Sequence, residues 1–216
     1  MNINQIKKQI TTSIFTHDML QSLLSPTINN VNAKISYMVK KGELMRLKKG
    51  VYAFGEDYQV NSVDIISVAN VLYAPSYVSY DYALSYYGLI PERVHEITSA
   101  TLRGKKSFET DLGRFSYRPV PVQAYAIGVD WLYDSTNGGK LIATPEKALC
   151  DKMRSDRGIG RLSQEKLAAY LEYDLRLEWD ALLALDTELI FVIATAYRPT
   201  TLQNISKLIR KRKRSA

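Results

Sequence analysis

Two histidines, His17 and His95, and one cysteine, Cys150, are the residues best suited to bind a metal or act as a nucleophile. A metal site needs several His, Cys or carboxylate ligands at fixed spacing, and these three stand far apart in the chain. His17 falls at a predicted helix start, where a surface or capping role is expected. His95 falls in a predicted strand, half-buried or solvated. Nucleophilic catalysis would need Ser, Thr or Cys beside a His and a third orienting group. Cys150 instead follows Leu149 in an amphipathic helical pattern, as a packed thiol would. Asn137-Gly138-Gly139-Lys140 lacks the first Gly and the trailing Ser/Thr of a phosphate-binding loop and reads as a turn. No Glu/Asp-x-Lys pair of the kind found in metal-dependent nucleases occurs, nor a Gly-Ser followed by Asp-x-Asp as in nucleotidyltransferases. No catalytic residue, metal or cofactor is expected, and the chain reads as a non-enzyme.

The chemistry that the spacing does support is positive charge set against phosphate. The chain of 216 residues has a net charge of +7. Residues 1–54 hold eight Lys/Arg against Asp18 and Glu43, and residues 207–216 hold six with no acid. Two basic ends therefore flank a mildly acidic body, a distribution that suits a polyanionic partner. Within the first basic segment, Ile28, Val31, Ile35, Met38 and Val39 recur at helical spacing, with Thr27 as the expected cap. The opposite face of that helix would present Asn29, Asn30, Ala33, Lys34, Tyr37, Lys40 and Lys41. Asn can bridge adenine N6 and N7 in the major groove, and Lys reaches phosphates. Gly42 ends the helix. Strands Glu43–Leu47 and Val51–Phe54 follow around Lys48-Lys49-Gly50, so Arg46, Lys48 and Lys49 line a basic hairpin.

Two short helices precede this unit. Ile3, Ile6 and Ile10 mark the first. Ser13-Ile14-Phe15 reads as a break, and Thr16 caps His17–Leu24, which Pro26 is expected to end by disfavouring a helical Ser25. Two short helices, a third with a polar face and then a basic hairpin form the sequence pattern of a winged helix-turn-helix over residues 1–55. Gly55–Asn61 reads as a linker. Ser62 is a candidate cap for a helix over Asp64–Leu72, and a second helix fits Tyr80–Tyr87. Strands are predicted at Val94–Leu102, Ser107–Thr110, Gly113–Val120 and Lys140–Ala143, with Tyr125–Tyr133 a strand or a short helix. Thr144-Pro145-Glu146 opens a helix with a capping Thr and Pro at its first position. Helices at Ser163–Leu171, Glu178–Leu185, Thr187–Tyr197 and from Thr200 complete the chain. The crowd of Tyr73, Tyr77, Tyr80, Tyr82, Tyr86 and Tyr87 fits a helix–sheet core with hydrogen-bonded hydroxyls better than a contact surface, with Tyr82 or Tyr86 the ones expected outside. Arg103, Lys105 and Lys106 form a basic loop, either a solvated turn or a nucleic-acid contact.

The segment Pro75–Pro121 resembles the AbiEi family of type IV antitoxins, which are transcriptional regulators of abortive-infection systems. It carries Pro75-Ser76-Tyr77, then Ala83-Leu84-Ser85-Tyr86-Tyr87-Gly88-Leu89-Ile90-Pro91-Glu92, Glu96-Ile97-Thr98 and Gly113-Arg114-Phe115-Ser116-Tyr117. Ala143-Thr144-Pro145-Glu146-Lys147-Ala148-Leu149, in Ile142–Met153, continues the likeness. It is close over residues 75–153 and looser over 5–200. The resemblance implies a winged helix that represses its own operon from inverted repeats. It also implies a C-terminal domain that counters a nucleotidyltransferase-like toxin of the AbiEii class, by opposing its effect rather than by tight binding.

The expectation is thus an α+β protein. A winged helix-turn-helix at 1–55 is followed by a mixed α/β antitoxin domain with a helical C-terminus at 62–206 and a basic tail at 207–216. Lys207, Arg210, Lys211, Arg212, Lys213 and Arg214 in that tail either extend a helix along phosphates or bind nucleic acid weakly from a disordered segment. Partners are double-stranded operator DNA and the toxin, with a monomer in solution or a dimer on DNA. Gln5, Lys7, Lys8 and Gln9 break up any N-terminal apolar run, Leu189–Ala196 is too short to span a bilayer, and one Cys suits a reducing cytosol. A cytoplasmic location, with no membrane, follows. Three alternatives stay open: an antitoxin that binds its toxin directly, a regulator without antitoxin activity, and an enzyme reversing the toxin's modification.

Overall fold

Hydroxyl, amide and carboxylate caps start most of the helices and set where the elements fall. The computed structural model describes residues 1–134, 138–156, 159, 162–198 and 200–214. Asn2, Thr16 and Asn30 cap α1 (Ile3–Lys7), α2 (His17–Leu24) and α3 (Val31–Lys40), each accepting a backbone N–H with its side chain. Strand β1 (Ile14–Thr16) precedes α2, and β2 (Leu44–Lys48) and β3 (Val51–Phe54) follow α3. These strands form a three-stranded antiparallel sheet in the order β1-β3-β2. The expected break at Ser13–Phe15 is therefore a strand. Phe15 is buried, pairs with Tyr52 and stacks on Phe54 at 4.7 Å. Gly42, at φ +72°, turns the chain out of α3, and Gly55 lies so close that a Cβ on it would sit 1.8 Å from the Gly42 carbonyl oxygen.

After a short turn, Asp64 rather than Ser62 caps α4 (Ile65–Leu72), accepting the Ser67 N–H at 2.8 Å. Then come β4 (Ser76–Val78), α5 (Tyr80–Tyr86), β5 (Ile97–Thr101), β6 (Lys106–Thr110), β7 (Gly113–Pro119), α6 (Val122–Tyr125), β8 (Val129–Asp134) and β9 (Gly138–Ala143). They build a mixed six-stranded sheet in the order β6-β7-β5-β4-β9-β8. The open choice at Tyr125–Tyr133 resolves as a strand from Val129, and α6 reaches the segment only at Tyr125. Of the turn expected at Asn137–Gly139, Gly138 and Gly139 belong to β9, and Asn137 lies outside the described residues.

Helix α7 (Pro145–Ser155) starts as the sequence implies, with Thr144 accepting the Lys147 N–H and Pro145 at the first position. The chain closes with α8 (Gln164–Ala169), a π-helical turn at Tyr170–Asp174, and α9 (Trp179–Ala184), α10 (Thr187–Tyr197) and α11 (Thr200–Lys213). The architecture is α+β with a helical C-terminus. Pro199, expected to separate the last two helices, lies outside the described residues.

Strand register sorts the side chains between the two faces of the larger sheet. Tyr117 points toward α4 and donates its hydroxyl proton to the Ala69 carbonyl at 2.7 Å. Tyr77 points the other way, toward α7. Asn70 of α4 ties two strands to each other, donating to the Ser76 and Leu141 carbonyls and accepting from the Leu141 N–H. Helix α10 packs on α7, and α11 on α10. The tyrosine cluster divides accordingly: Tyr77 and Tyr80 are buried, Tyr73, Tyr82 and Tyr87 half-buried, and Tyr86 exposed.

Beneath α7 lies a fully buried ion pair. The Lys147 ammonium is 3.1 Å from Asp151, one helical turn along. It also donates to the Ala124 carbonyl at 2.7 Å and to the Tyr197 hydroxyl at 2.9 Å, which uses all three of its protons. Asp151 accepts from Tyr77 at 3.0 Å, from Ser79 at 2.7 Å and from Tyr197. Burial, then the Asp151 charge, pushes the Tyr77 and Tyr197 phenols far above their ordinary range, so both stay neutral donors. Removing one partner of such a pair strands the other charge. Lys147→Met should therefore lower the unfolding free energy by ~3–5 kcal/mol in urea titration. A loss below about 1 kcal/mol would show that the pair is not a keystone.

Candidate nucleic-acid interface

Helix α3 turns Ile35 and Met38 inward and leaves Asn32, Ala33, Ser36, Tyr37, Lys40 and Lys41 exposed, with Lys34 partly so. Lys34 and Lys41 flank Tyr37, their ammonium groups 5.5 Å and 5.0 Å from its ring centre. Contact with Tyr37 holds the Lys41 ammonium above its ordinary pKa, so it stays charged. Among the described residues, no carboxylate lies within ion-pair distance of Lys34, Lys40, Lys41, Arg46 or Lys49. This is a positive face without ion pairs on a helix whose opposite side is anchored in a core.

The start of that helix differs from the sequence expectation. Thr27 is not its cap: its hydroxyl donates to the Leu24 carbonyl at 3.3 Å, and Thr27 and Ile28 continue the turn that ends α2. Ser25 keeps a helical conformation ahead of Pro26. The cap is Asn30, whose side-chain oxygen accepts the Ala33 N–H at 3.0 Å. Asn30 is therefore committed to the backbone and Asn29 lies in the turn, so neither projects from the helix barrel. Two polar residues that the pattern missed, Asn32 and Ser36, do lie on the exposed face. Asn32 is also tied to α2, with its side-chain oxygen 2.8 Å from His17 Nε2.

The hairpin residues part company. Arg46 and Lys49 are exposed. Lys48 is not free: its ammonium donates to the Val71 and Leu72 carbonyls at 3.0 Å and 2.9 Å, capping the C-terminal end of α4. Burial there, and then the nearby Arg103 charge, lowers its pKa. The same hairpin sends Leu47, Val51 and Ala53 into the core of the following domain, while Leu44, Tyr52 and Phe54 belong to the N-terminal core.

The basic C-terminal residues are not a detached tail. Helix α11 runs through Lys213 and buries Leu202, Ile205, Leu208 and Ile209. Arg210 bonds to Thr187 and pairs with Glu188 at 2.6 Å. The Arg212 guanidinium lies 3.9 Å from the Trp179 ring centre, and Lys213 donates to the Leu185 carbonyl. Lys207 and Lys211 are exposed on this helix, and Arg214 is exposed just past its end.

The residues weighed for catalysis fall elsewhere. Cys150 is fully buried, which pushes its thiol well above the ordinary range. His95 is exposed in the loop before β5 rather than within a strand. Among the described residues, no group of three or more His, Cys, Asp or Glu could hold a metal ion, and no helix is long and apolar enough to cross a membrane.

No family model matches the sequence, and no curated protein matches it. The fold is similar to that in the crystal structure of the RV2827C protein from Mycobacterium tuberculosis. The TM-score is 0.50 at 14% identity, over 95% of this chain and 79% of that one. At this identity the likeness shows the fold alone.

The two hairpin lysines should separate in experiment. Lys48→Ala removes charged hydrogen bonds at a half-exposed site and should cost ~1 kcal/mol of stability. Lys49→Ala should cost nothing measurable. Equal midpoints in urea for the two variants would remove the stapling role given to Lys48.

Proposed function

We propose that residues 1–55 form a winged helix-turn-helix that binds operator DNA, and that the chain as a whole is the antitoxin and autorepressor of a type IV toxin–antitoxin pair. In this reading α2 and α3 are the helix-turn-helix, α3 is the recognition helix and the β2–β3 hairpin is the wing. The observation that carries the DNA-binding half is the unpaired basic stripe Lys34–Tyr37–Lys41, with Lys40 beside it, on a helix anchored by its other face. In this reading Asn32, Ala33, Ser36 and Tyr37 meet base edges, while Lys34, Lys40, Lys41, Arg46 and Lys49 meet phosphates. Two copies of a cytoplasmic monomer would occupy an inverted repeat.

The antitoxin half rests on the resemblance over Pro75–Pro121 and Ile142–Met153. Those segments supply the strands and helix at the centre of the larger domain, including Tyr77, Phe115, Lys147 and Asp151. The cognate partner is a nucleotidyltransferase-like toxin, and this chain acts without catalysis of its own.

In gel-shift titrations on the DNA upstream of its gene, Lys34→Ala with Lys40→Ala should weaken binding to every sequence. It should also reduce the slope of log K against log salt by about two. An unchanged slope would count against α3 as the reading element. In cells expressing a neighbouring nucleotidyltransferase-like toxin, the same double variant should lose repression and keep protection. Loss of both together would refute the division of labour. Substitution is the proper test here, because a chain cut after residue 60 would expose Leu47, Val51 and Ala53.

A further inference from the structure

The larger sheet outruns its helical cover at one edge. Arg114, Ser116 and Arg118 alternate along β7 with the buried Phe115 and Tyr117. Across the edge, Ser107 of β6 pairs with Ser116 and Glu109 with Arg114. Helix α5 packs over β5, the next strand inward. What is left is a cleft of about 390 Å³ with a polar floor. Four cations line it, Lys105, Lys106, Arg114 and Arg118, with the hydroxyls of Ser107 and Ser116 and one carboxylate, Glu96.

Both guanidinium groups are held in place. Arg118 lies 4.9 Å from the Tyr80 ring centre and donates to the Ser155 hydroxyl at 3.0 Å. Arg114 sits 3.4 Å from Glu96 and 3.4 Å from Glu109. Lys105 and Lys106 have no carboxylate within ion-pair distance among the described residues. The Ser116 hydroxyl is buried at the floor with no hydrogen-bond partner. Fixed guanidinium forks, free ammonium groups and hydroxyl donors are the set that recognises phosphate oxygens. The volume falls within the range of small-ligand sites.

We propose that this cleft on the larger domain is a phosphate-binding site, separate from α3, that takes adjacent phosphate groups. Those groups belong either to a free nucleoside polyphosphate or to a nucleic-acid backbone. The cleft supplies no apolar slot for a base, so phosphate rather than base identity is what it selects.

Calorimetry of the full chain at low salt, with pyrophosphate, ATP and a short oligothymidylate as separate titrants, tests this. At least one of the three should bind. Arg118→Gln with Lys105→Gln should weaken that binding about tenfold or more, the loss expected for two charge-assisted contacts. Lys34→Ala with Lys40→Ala should leave pyrophosphate and ATP binding unchanged. Binding of pyrophosphate and ATP assigns the cleft to free nucleotides, and binding of the oligonucleotide alone assigns it to a backbone. If Arg118→Gln disturbs folding, Lys105→Glu in the exposed loop carries the same test. No binding of any titrant, or binding that the cleft variants leave intact, overturns the proposal. Loss of operator binding in the α3 variant has no bearing on it.

Discussion

A buried ammonium must have each of its protons accepted, and this requirement shapes the larger domain. Lys147 and Asp151 lie on one helix, but the groups that satisfy them come from α6, α10, β4 and the turn after β4. Any shift of α10 or of β4 would leave a charge in a low-dielectric interior without a partner, at a cost of several kcal/mol. The pair therefore fixes how the C-terminal helices sit on the sheet. It specifies arrangement more than it adds stability, because its own desolvation offsets much of the attraction. Glu146 adds a further tie, accepting the Asp186 N–H at 3.0 Å at the start of α10.

The hairpin β2–β3 creates a second constraint. Strand alternation gives it two faces, and both are buried in different cores. Lys48 then closes the junction at the end of α4. An N-terminal unit built this way is not a bead on a linker. Its hairpin shares a packed interface with the sheet-bearing domain, so the position of α3 is set by both. This is the physical route by which events on the larger domain would be felt at α3, and the reverse.

Much of this was legible in the chain where the signal is local. Thr144-Pro145 opens α7 because a hydroxyl cap and a fixed φ act within one turn. The inward face of α3 follows from its period. The tyrosine crowd is core at Tyr77 and Tyr80, packs against that core at Tyr73, Tyr82 and Tyr87, and is exposed at Tyr86. What escaped was non-local. Strand β1 is three residues long, and only its pairing with β3, far along the chain, makes Ile14–Thr16 extended. Thr27 and Asn30 are both good caps. The choice between them turned on how α2 unwinds past Pro26, which no motif encodes. Nothing local marks Lys147 as buried, because the groups that enclose it come from the sheet, α6 and α10.

Charge shows the same limit most sharply. Counted along the sequence, the two ends of the chain are equally basic, and both suggest a polyanion. Packing separates them. In α11, Arg210 finds Glu188, Arg212 a Trp ring and Lys213 a carbonyl, so half of that run stabilises the junction of α11 with α9 and α10. In α3 no carboxylate among the described residues comes within ion-pair distance of the lysines, and the helix displays a net positive face. The β6–β7 edge, only weakly basic by count, gathers four cations from two separate stretches of chain around one cleft. A cation whose partner lies inside the protein contributes to the fold. One held in place without a partner is available to bind something else.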